Sequence, residues 1–161
     1  MNDEFKKYLT SIGIGKPVAE RVEAAYQFYK NILEMVDDEV KDIFITDYIK
    51  KDNSREYENL WFFSEKYVME AKLFINMDDF DFMPSRGLKY LRIDKQNYDF
   101  KQATDQSRMS VEYGGQDMLS GELRASKENC DRLRYITIKY LMPILGRESI
   151  IGLNFMIWIY Q

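Results

Sequence analysis

The spacing of apolar residues changes near residue 37, and this change constrains the fold more than any other feature of the chain. From Val18 to Val36 large apolar side chains recur every three or four residues, as they do along one face of an α-helix. From Val40 onward apolar and polar residues tend to alternate, as they do along β-strands. Helices followed by a series of short strands predict an α+β fold.

Two helices are predicted before this change. The first runs from Glu4 to Ile12, and the segment "GIGKP" then supplies helix-ending glycines and a proline suited to the first turn of a second helix. The second helix begins near Pro17 and ends near Val36. Residues 1–36 are therefore predicted to form a helical hairpin.

The second predicted helix carries a broad apolar stripe. Its main line consists of Val18, Val22, Tyr26, Tyr29, Leu33 and Val36. Phe28, Ile32 and Met35 widen this line to most of the circumference, so more than one side of the helix should be covered. We interpret the stripe as packing on the sheet or on the first helix, and the alternative is a contact with another subunit.

Six short strands are predicted, near residues 40–49, 57–64, 67–74, 88–94, 108–114 and 118–125, with a further one in "FDFM" or "NYDFK". Turn-forming residues connect them, which favours an antiparallel meander. A third helix should follow, with Ser126 as its N-cap and with Pro143 and Gly146 at its end.

The aromatic segment from Tyr57 to Phe74 predicts a hairpin that needs cover on both faces. If Leu60 and Phe62 face the core, then Trp61 and Phe63 must point to the opposite side, because side chains alternate along a strand. We expect residues 17–36 to cover Trp61 and Phe63. The alternatives are the C-terminal tail or a protein partner, for which these two side chains would form the binding site.

Composition excludes several classes of function. A chain of 161 residues is the size of one domain, and its net charge of −4 does not favour nucleic acid. The absence of histidine excludes the usual catalytic triads, histidine bases and most zinc sites. The single Cys130 is interpreted as a core residue. We predict a cytoplasmic protein with no signal peptide, no transmembrane segment and no cofactor.

The order of predicted elements from about Val40 to Leu145 resembles the pleckstrin-homology-like barrel. The segment "NLWFFSEKYVMEAK" looks like the central hairpin of that fold, and "GELRASKENCDRLRYI" looks like its last strand and C-terminal helix. The resemblance implies a partly open barrel of two nearly orthogonal sheets, closed at one end by the helix. In the single domain of residues 1–161, residues 1–36 would be a helical extension and residues 147–161 a hydrophobic, strand-like tail.

The same resemblance implies a binding function. Phosphoinositide-binding members hold phosphates with a basic residue late in the first strand and further basic residues on the second. Here Lys50, Lys51 and Arg55 provide basic residues after the first strand, but the segment "YEN" stands where the basic residues of the second strand are expected. Other members bind peptides or proteins. We therefore predict a non-catalytic protein-binding or scaffolding module, and binding of anionic headgroups or small anions through Lys50, Lys51 and Arg55 is the first alternative.

Two further groups of charged residues were candidates for sites. The carboxylates of Asp78, Asp79 and Asp81 could serve a histidine-free, metal-assisted enzyme, which is the second alternative, although they also fit a solvated edge strand. The basic residues Arg86, Lys89, Arg92 and Lys95 would fall on both faces of a strand, which favours a solvated edge over a nucleic-acid strip.

The C-terminal segment "IIGLNFMIWIYQ" predicts a strand with an aliphatic face and a mixed aromatic face. Ile157 and Ile159 fall on the aliphatic side and Trp158 on the other. An exposed strand of this kind would aggregate, so it should pair with a sheet edge. We expect that edge to belong to the same subunit, and a homodimer formed through the tail is the alternative.

Overall fold

A computed structural model describes residues 1–72, 80–84, 88–115, 120–143 and 157–159, with the backbone alone for 80–84, 88–89, 115, 120 and 157–159. Its helices are α1 (Asp3–Ser11), α2 (Lys16–Glu34) and α3 (Asn129–Ile136), and a π-helical turn (Thr137–Leu141) continues α3. Its strands are β1 (Asp42–Ile49), β2 (Arg55–Phe63), β3 (Tyr67–Ala71), β4 (Phe80–Pro84), β5 (Leu88–Gln96), β6 (Arg108–Gly115), β7 (Ser120–Ser126) and β8 (Ile157–Ile159). The predicted α+β class and the predicted helices are confirmed.

The strands form two sheets, with the orders β1-β2-β3-β4 and β7-β6-β5-β8. The pairs β2–β3, β5–β6 and β6–β7 are antiparallel, and the extra strand predicted in "FDFM" is β4, whereas "NYDFK" is not a strand. The described strands do not close into one barrel. The pleckstrin-homology-like fold that the resemblance implied is therefore not confirmed.

The chain divides into two compact units. The first contains Met1–Ile45 and Glu58–Phe82, and the second contains Thr46–Tyr57 and Met83–Gln161. These limits differ from the predicted segments 1–36, 40–145 and 147–161. The assignment of residues 1–161 to a single domain stays a prediction.

In the first unit, α2 packs on the sheet through aromatic rings. The ring of Phe62 lies 4.8 Å from that of Tyr29 and 6.5 Å from that of Tyr26, and the Tyr29 hydroxyl donates a 2.6 Å hydrogen bond to the carbonyl of Glu70. Each large side chain buried in this way contributes roughly 1.5–3 kcal/mol. The helices therefore stabilise the sheet.

The helix α1 contacts β1, an outer strand of the same sheet among the described residues. β1 is the outer strand, and an unpaired strand edge invites association with other chains. The hydroxyl of Tyr8 accepts a 3.1 Å hydrogen bond from the backbone N–H of Ile45 in β1. Phe5 anchors α1 through an edge-to-face contact with Tyr26. The side chain of Tyr8 thus binds α1 to the backbone of β1.

In the second unit, β5, β6 and β7 have one apolar and one polar face, as the alternation predicted. Met109, Val111 and Tyr113 of β6 are buried, whereas Ser110 and Glu112 between them are partly exposed. α3 contributes Cys130, Leu133 and Ile136 to the buried side chains of this unit.

The predicted N-cap of α3 is wrong. Ser126 is the last residue of β7, and the helix begins three residues later at Asn129, after Glu128 in the N-cap position. The reason is a tertiary contact, because the Ser126 hydroxyl is hydrogen-bonded to the carboxylate of Asp47. The Ser126 hydroxyl does not cap the helix, because it binds Asp47, which lies 79 residues away in the sequence.

The C-terminal residues 157–159 pair with the sheet of their own chain. β8 runs parallel to β5, with Ile157 opposite Leu91 and Ile159 opposite Ile93. Ile157 and Ile159 are therefore in register with Leu91 and Ile93, which are buried. Among the described residues, no helix has the length and hydropathy that a membrane crossing requires.

Candidate functional site

The three basic residues of the predicted anion site have different environments. Lys50 and Lys51 lie at the β1–β2 turn, where the Lys50 ammonium forms a 2.8 Å ion pair with Glu56 and Lys51 is exposed. Arg55 falls between the predicted strands 40–49 and 57–64 and was therefore expected in a loop, but it lies in β2 and only 14% of its side chain is exposed. That expectation is wrong, and the reason is a buried carboxylate beside it.

That carboxylate belongs to Asp47, whose side chain is 0% exposed. It accepts hydrogen bonds from Arg55 Nε at 2.7 Å, from the Ser126 backbone N–H at 3.2 Å and from Asn129 Nδ2 at 2.6 Å, in addition to the Ser126 hydroxyl. We call Asp47, Arg55, Ser126 and Asn129 the Asp47 cluster. It connects β1 and β2 to the β7–α3 junction within the second unit.

Arg55 has a second acidic partner in Glu128. Its Nη1 lies 2.6 Å from Glu128 Oε1, and its Nη2 donates a 2.8 Å hydrogen bond to the Ser126 carbonyl. Burial disfavours the charged guanidinium, but the hydrogen bonds and charges of Asp47 and Glu128 outweigh it and raise the pKa of Arg55. These contacts engage Nε, Nη1 and Nη2 and join β2 to the β7–α3 junction. Binding of an anionic headgroup through Lys50, Lys51 and Arg55 stays a prediction.

Trp61 and Phe63, the predicted partner-binding residues, are buried in the single chain. The cover that α2 provides lies on the face of Phe62, so the two faces of the hairpin are reversed relative to the sequence analysis. Alternation fixes which side chains share a face but does not say which face meets the helix. An exposed aromatic patch at Trp61 and Phe63 is not present.

Among the described residues of the first unit, large exposed apolar side chains lie instead on α2 and at the turn that follows it. Met35 is 84% exposed, Val36 42% and Phe28 39%, and Ile32 is partly exposed between them. Phe28, Ile32 and Met35 follow one another at steps of four and three residues, which places them on one side of the helix. We call these four residues the α2 stripe. The neighbouring flank of the helix packs in the core, where Val22, Tyr29 and Leu33 are buried.

A negatively charged groove borders α2 on the side of Tyr26, Lys30 and Glu34. At 3.6 residues per turn, this side lies opposite the row of Phe28, Ile32 and Met35. The volume of the groove is about 440 Å³. Five carboxylates line it: Glu34, Asp37, Asp38, Glu39 and Glu65. Lys30 and Lys41 are the two ammonium groups in its lining, and they form ion pairs with Glu34 and Glu39 respectively. Two positive and five negative charges give the groove a formal charge of −3.

Asp38 has a structural role in this groove. Its carboxylate accepts hydrogen bonds from the backbone N–H groups of Glu39, Glu65 and Lys66, at 2.8, 3.4 and 3.1 Å. Partial burial raises its pKa, but these bonds, together with one involving Ser64, outweigh burial and hold the pKa of Asp38 below its ordinary value. The residue thereby joins the α2–β1 connection to the β2–β3 turn.

We expect Asp38→Ala to lower the free energy of unfolding by about 1–2 kcal/mol at pH 7, because three backbone donors lose a charged acceptor. The folded-state pKa lies below the unfolded value, so this stabilisation is present above about pH 4 and is lost as the pH falls through the folded-state pKa. Urea denaturation of both proteins at pH 7 and at successively lower pH measures the difference. A difference that grows on acidification would contradict the assignment.

The outer face of β5–β7 also carries charged residues, but their signs balance. Arg92 lies 3.1 Å from Asp94, and Arg124 lies 3.8 Å from Glu122 and stacks over the ring of Tyr48. Lys95 falls on the opposite face from Arg92, as predicted, and contacts the ring of Phe100. Arg86 and the side chain of Lys89 lie outside the described residues. The described part of this strand does not form a one-sided basic strip.

Two observations on the described residues bear on catalysis. Burial raises the pKa of Cys130 to about 12, so its thiol is protonated at neutral pH. In the parts of the chain that the structure describes, no group of three or more His, Cys, Asp or Glu side chains could hold a metal ion. Asp78, Asp79 and the side chain of Asp81 lie outside those parts, so the metal-assisted alternative stays a prediction.

The sequence analysis identified the residues of the α2 stripe and gave a contact with another subunit as the alternative to packing. The signal was the width of the apolar stripe, because Phe28, Ile32 and Met35 extend beyond the line that one buried face needs. Packing was the first interpretation. In the structure Val22, Tyr29 and Leu33 of the main line are buried, whereas Val36 of that line is 42% exposed and the added residues are partly or largely exposed. The acidic groove was not foreseen, since it joins the run from Asp37 to Glu39 with Glu65 of another turn.

The chain was compared with known proteins. No family model and no curated protein matches it. Among solved structures, the hSac2 domain from human phosphoinositide phosphatase Sac2 matches with a TM-score of 0.45 and 13% sequence identity, over 86% of this chain and 89% of that domain. A likeness this distant assigns neither a family nor a function to the chain.

Proposed function

We propose that this protein is a non-catalytic, cytoplasmic protein-binding module and that it binds its partner through the α2 stripe. The observation that carries the proposal is the exposure of Met35, 84%, at the end of a helical row that includes Phe28 and Ile32. A contiguous exposed apolar surface on a folded chain is typical of an interaction site. The pleckstrin-homology-like barrel remains part of the proposal as the predicted scaffold, because consecutive strands followed by a helix support it.

The chemistry of the remaining candidates also favours binding over catalysis. The buried Asp47 carboxylate is engaged by Arg55, Ser126 and Asn129, so it is poorly placed to act as a general base. The Cys130 thiol is protonated and directed to the Ala125 carbonyl. Neither group provides the accessible, activated side chain that an enzyme of this composition would need.

Site-specific photo-crosslinking tests the proposal. A benzophenone amino acid replaces Met35 in the full chain, expressed in its native cell, and a second variant carries the same group at the exposed position Gln106 as the matched control. We expect a distinct protein band with the probe at position 35 that is absent with the probe at position 106. The band should also disappear when Ile32→Asp is added, since a charge in the stripe must be desolvated on binding.

The absence of any adduct specific to position 35 would contradict the proposal. A crosslink between two copies of this chain would show that the chain associates with itself through α2 and not with a different protein. That result would also move the contact of the predicted homodimer from the tail to the helix.

A further inference from the structure

We infer that the exposed side of α3, together with the turn that continues it, docks on an anionic lipid surface. The side chains concerned are Arg132, Tyr135, Ile138, Lys139 and Met142, which we call the α3 face. All of them belong to the second unit. The inference goes beyond the proposed function, because it concerns a surface other than the α2 stripe.

The α3 face carries a row of exposed apolar side chains. Tyr135 is 39% exposed, Ile138 58% and Met142 38%. Steps of three and four residues place these side chains on one side of the helix. Leu133 and Leu141 are buried on the other side, so α3 is amphipathic with apolar residues on both its core side and part of its outer side.

Two cations lie against this row. The Lys139 ammonium is 5.0 Å from the ring centre of Tyr135 and 5.1 Å from that of Tyr140. The Arg132 guanidinium is 5.1 Å from the ring centre of Tyr135. Cation–π contacts of this kind hold the charged groups beside the aromatic rings. Positive charge therefore borders the apolar row directly.

The segment around α3 is basic although the whole chain is acidic. Residues 127–143 contain four basic and two acidic residues, which gives a formal charge of +2. The acidic residues have partners elsewhere in the second unit, since Glu128 pairs with Arg55 and Asp131 accepts a 2.7 Å hydrogen bond from the Tyr98 hydroxyl. Charges more than about 8 Å apart are largely screened at physiological ionic strength, so this local excess governs attraction to an anionic surface.

The size of the α3 face favours lipid over a folded protein as its occupant. A specific protein interface buries about 800 Å² on each partner, far more than three partly exposed side chains supply. A lipid surface needs no matching shape. Tyrosine rings sit at the level of the headgroups, and Lys and Arg extend their charges to the phosphates while aliphatic side chains enter the apolar boundary.

Flotation of the full chain with two kinds of vesicle tests the inference. One kind is phosphatidylcholine alone, and the other contains about one third phosphatidylserine. We expect the bound fraction to be at least about fivefold higher on the phosphatidylserine vesicles at low ionic strength, and this ratio should fall as salt is added. Equal binding to both kinds overturns the inference, as does binding to neither. An acidic amphipathic peptide that binds where vesicles do not would make the α3 face a protein-docking surface instead.

Paired substitutions localise the charge effect. Arg132→Gln with Lys139→Gln should remove most of the preference for phosphatidylserine. The matched control is Lys7→Gln with Lys16→Gln, which changes the net charge by the same amount at exposed positions of the first unit and should bind like the unmodified chain. An equal loss in both pairs would mean that only net charge matters and would overturn the inference. Unchanged far-UV circular dichroism and thermal melting exclude unfolding as the cause.

A fluorescent label tests whether the apolar row reaches the lipid. A nitrobenzoxadiazole dye on Ile138→Cys should shift its emission to the blue on phosphatidylserine vesicles, and the same dye on the exposed position Glu20→Cys should not. Cys130 is buried, so the dye reacts with the introduced thiol. Unchanged emission at position 138 on vesicles that bind the chain would place the contact elsewhere and overturn the inference.

The β1–β2 turn provides the rival site. If Lys50→Gln with Lys51→Gln abolishes vesicle binding while the Arg132 and Lys139 pair leaves it unchanged, then the α3 face is not the docking surface. That result would instead support the anionic-headgroup alternative of the sequence analysis.

Discussion

Asp47→Ala should lower the free energy of unfolding by about 3–5 kcal/mol, which is a large part of the 5–15 kcal/mol typical of a domain. The substitution leaves the guanidinium of Arg55 without its buried partner, and the N–H of Ser126 and the amide of Asn129 lose their acceptor. Denaturation in urea, followed by circular dichroism and tryptophan fluorescence, measures the change.

The controls for Asp47→Ala come from the neighbouring turn. Asp52 is an exposed carboxylate that bonds only locally with Ser54, so Asp52→Ala should cost much less than Asp47→Ala. The double variant Lys50→Ala and Lys51→Ala should unfold almost as the unmodified chain does, because surface charges contribute little. A stability of Asp47→Ala within about 0.5 kcal/mol of the unmodified chain would show that the Asp47 cluster is not structural.

A double-mutant cycle tests whether the cluster acts as a unit. Arg55→Ala should also be strongly destabilising, since it leaves the Asp47 carboxylate buried with only the neutral donors of Ser126 and Asn129. The loss in the double variant should be smaller than the sum of the two single losses, because each single change already breaks the same contact. Additive losses would mean that Asp47 and Arg55 stabilise the protein independently.

The elements of the fold were predictable because their signals are local. The step of three or four residues in α2 and the alternation in β6 are set by the geometry of each element, and the predicted ranges agree with the observed ones to within a few residues. The turn between Phe63 and Tyr67 is also local, since Ser64 closes it through its own backbone and side chain. Short-range patterns of this kind need no knowledge of the tertiary fold.

The site residues were harder to predict because their environments depend on distant parts of the chain. Asp47 occupies a polar position in an alternating strand, which usually indicates exposure, and only its contacts 79 and 82 residues away, with Ser126 and Asn129, reveal a buried role. Arg55 was expected in a loop for the same reason, because its contact with Glu128 joins distant parts of the chain. Alternation grouped Trp61 with Phe63, but the choice of the face that meets α2 depends on packing that sequence spacing does not encode.

Phe62→Ala is expected to lower the free energy of unfolding by about 3–5 kcal/mol, the range for removal of a large buried aromatic side chain. Phe62 is fully buried, and its ring lies between those of Tyr26 and Tyr29, so the truncation leaves a cavity under α2. Met35→Ala is the matched control within the first unit, and it should change stability by less than about 0.5 kcal/mol because 84% of Met35 is exposed.

A second cycle distinguishes the two faces of the hairpin. Phe62→Leu and Tyr29→Leu should show a coupling energy of about 0.5–1.5 kcal/mol, because the two rings lie 4.8 Å apart. Phe63→Leu and Tyr29→Leu should be nearly additive, since Phe63 points to the opposite side of the strand. Strong coupling of Tyr29 with Phe63, and none with Phe62, would contradict this arrangement. It would mean that α2 covers the face of Trp61 and Phe63, as the sequence analysis predicted.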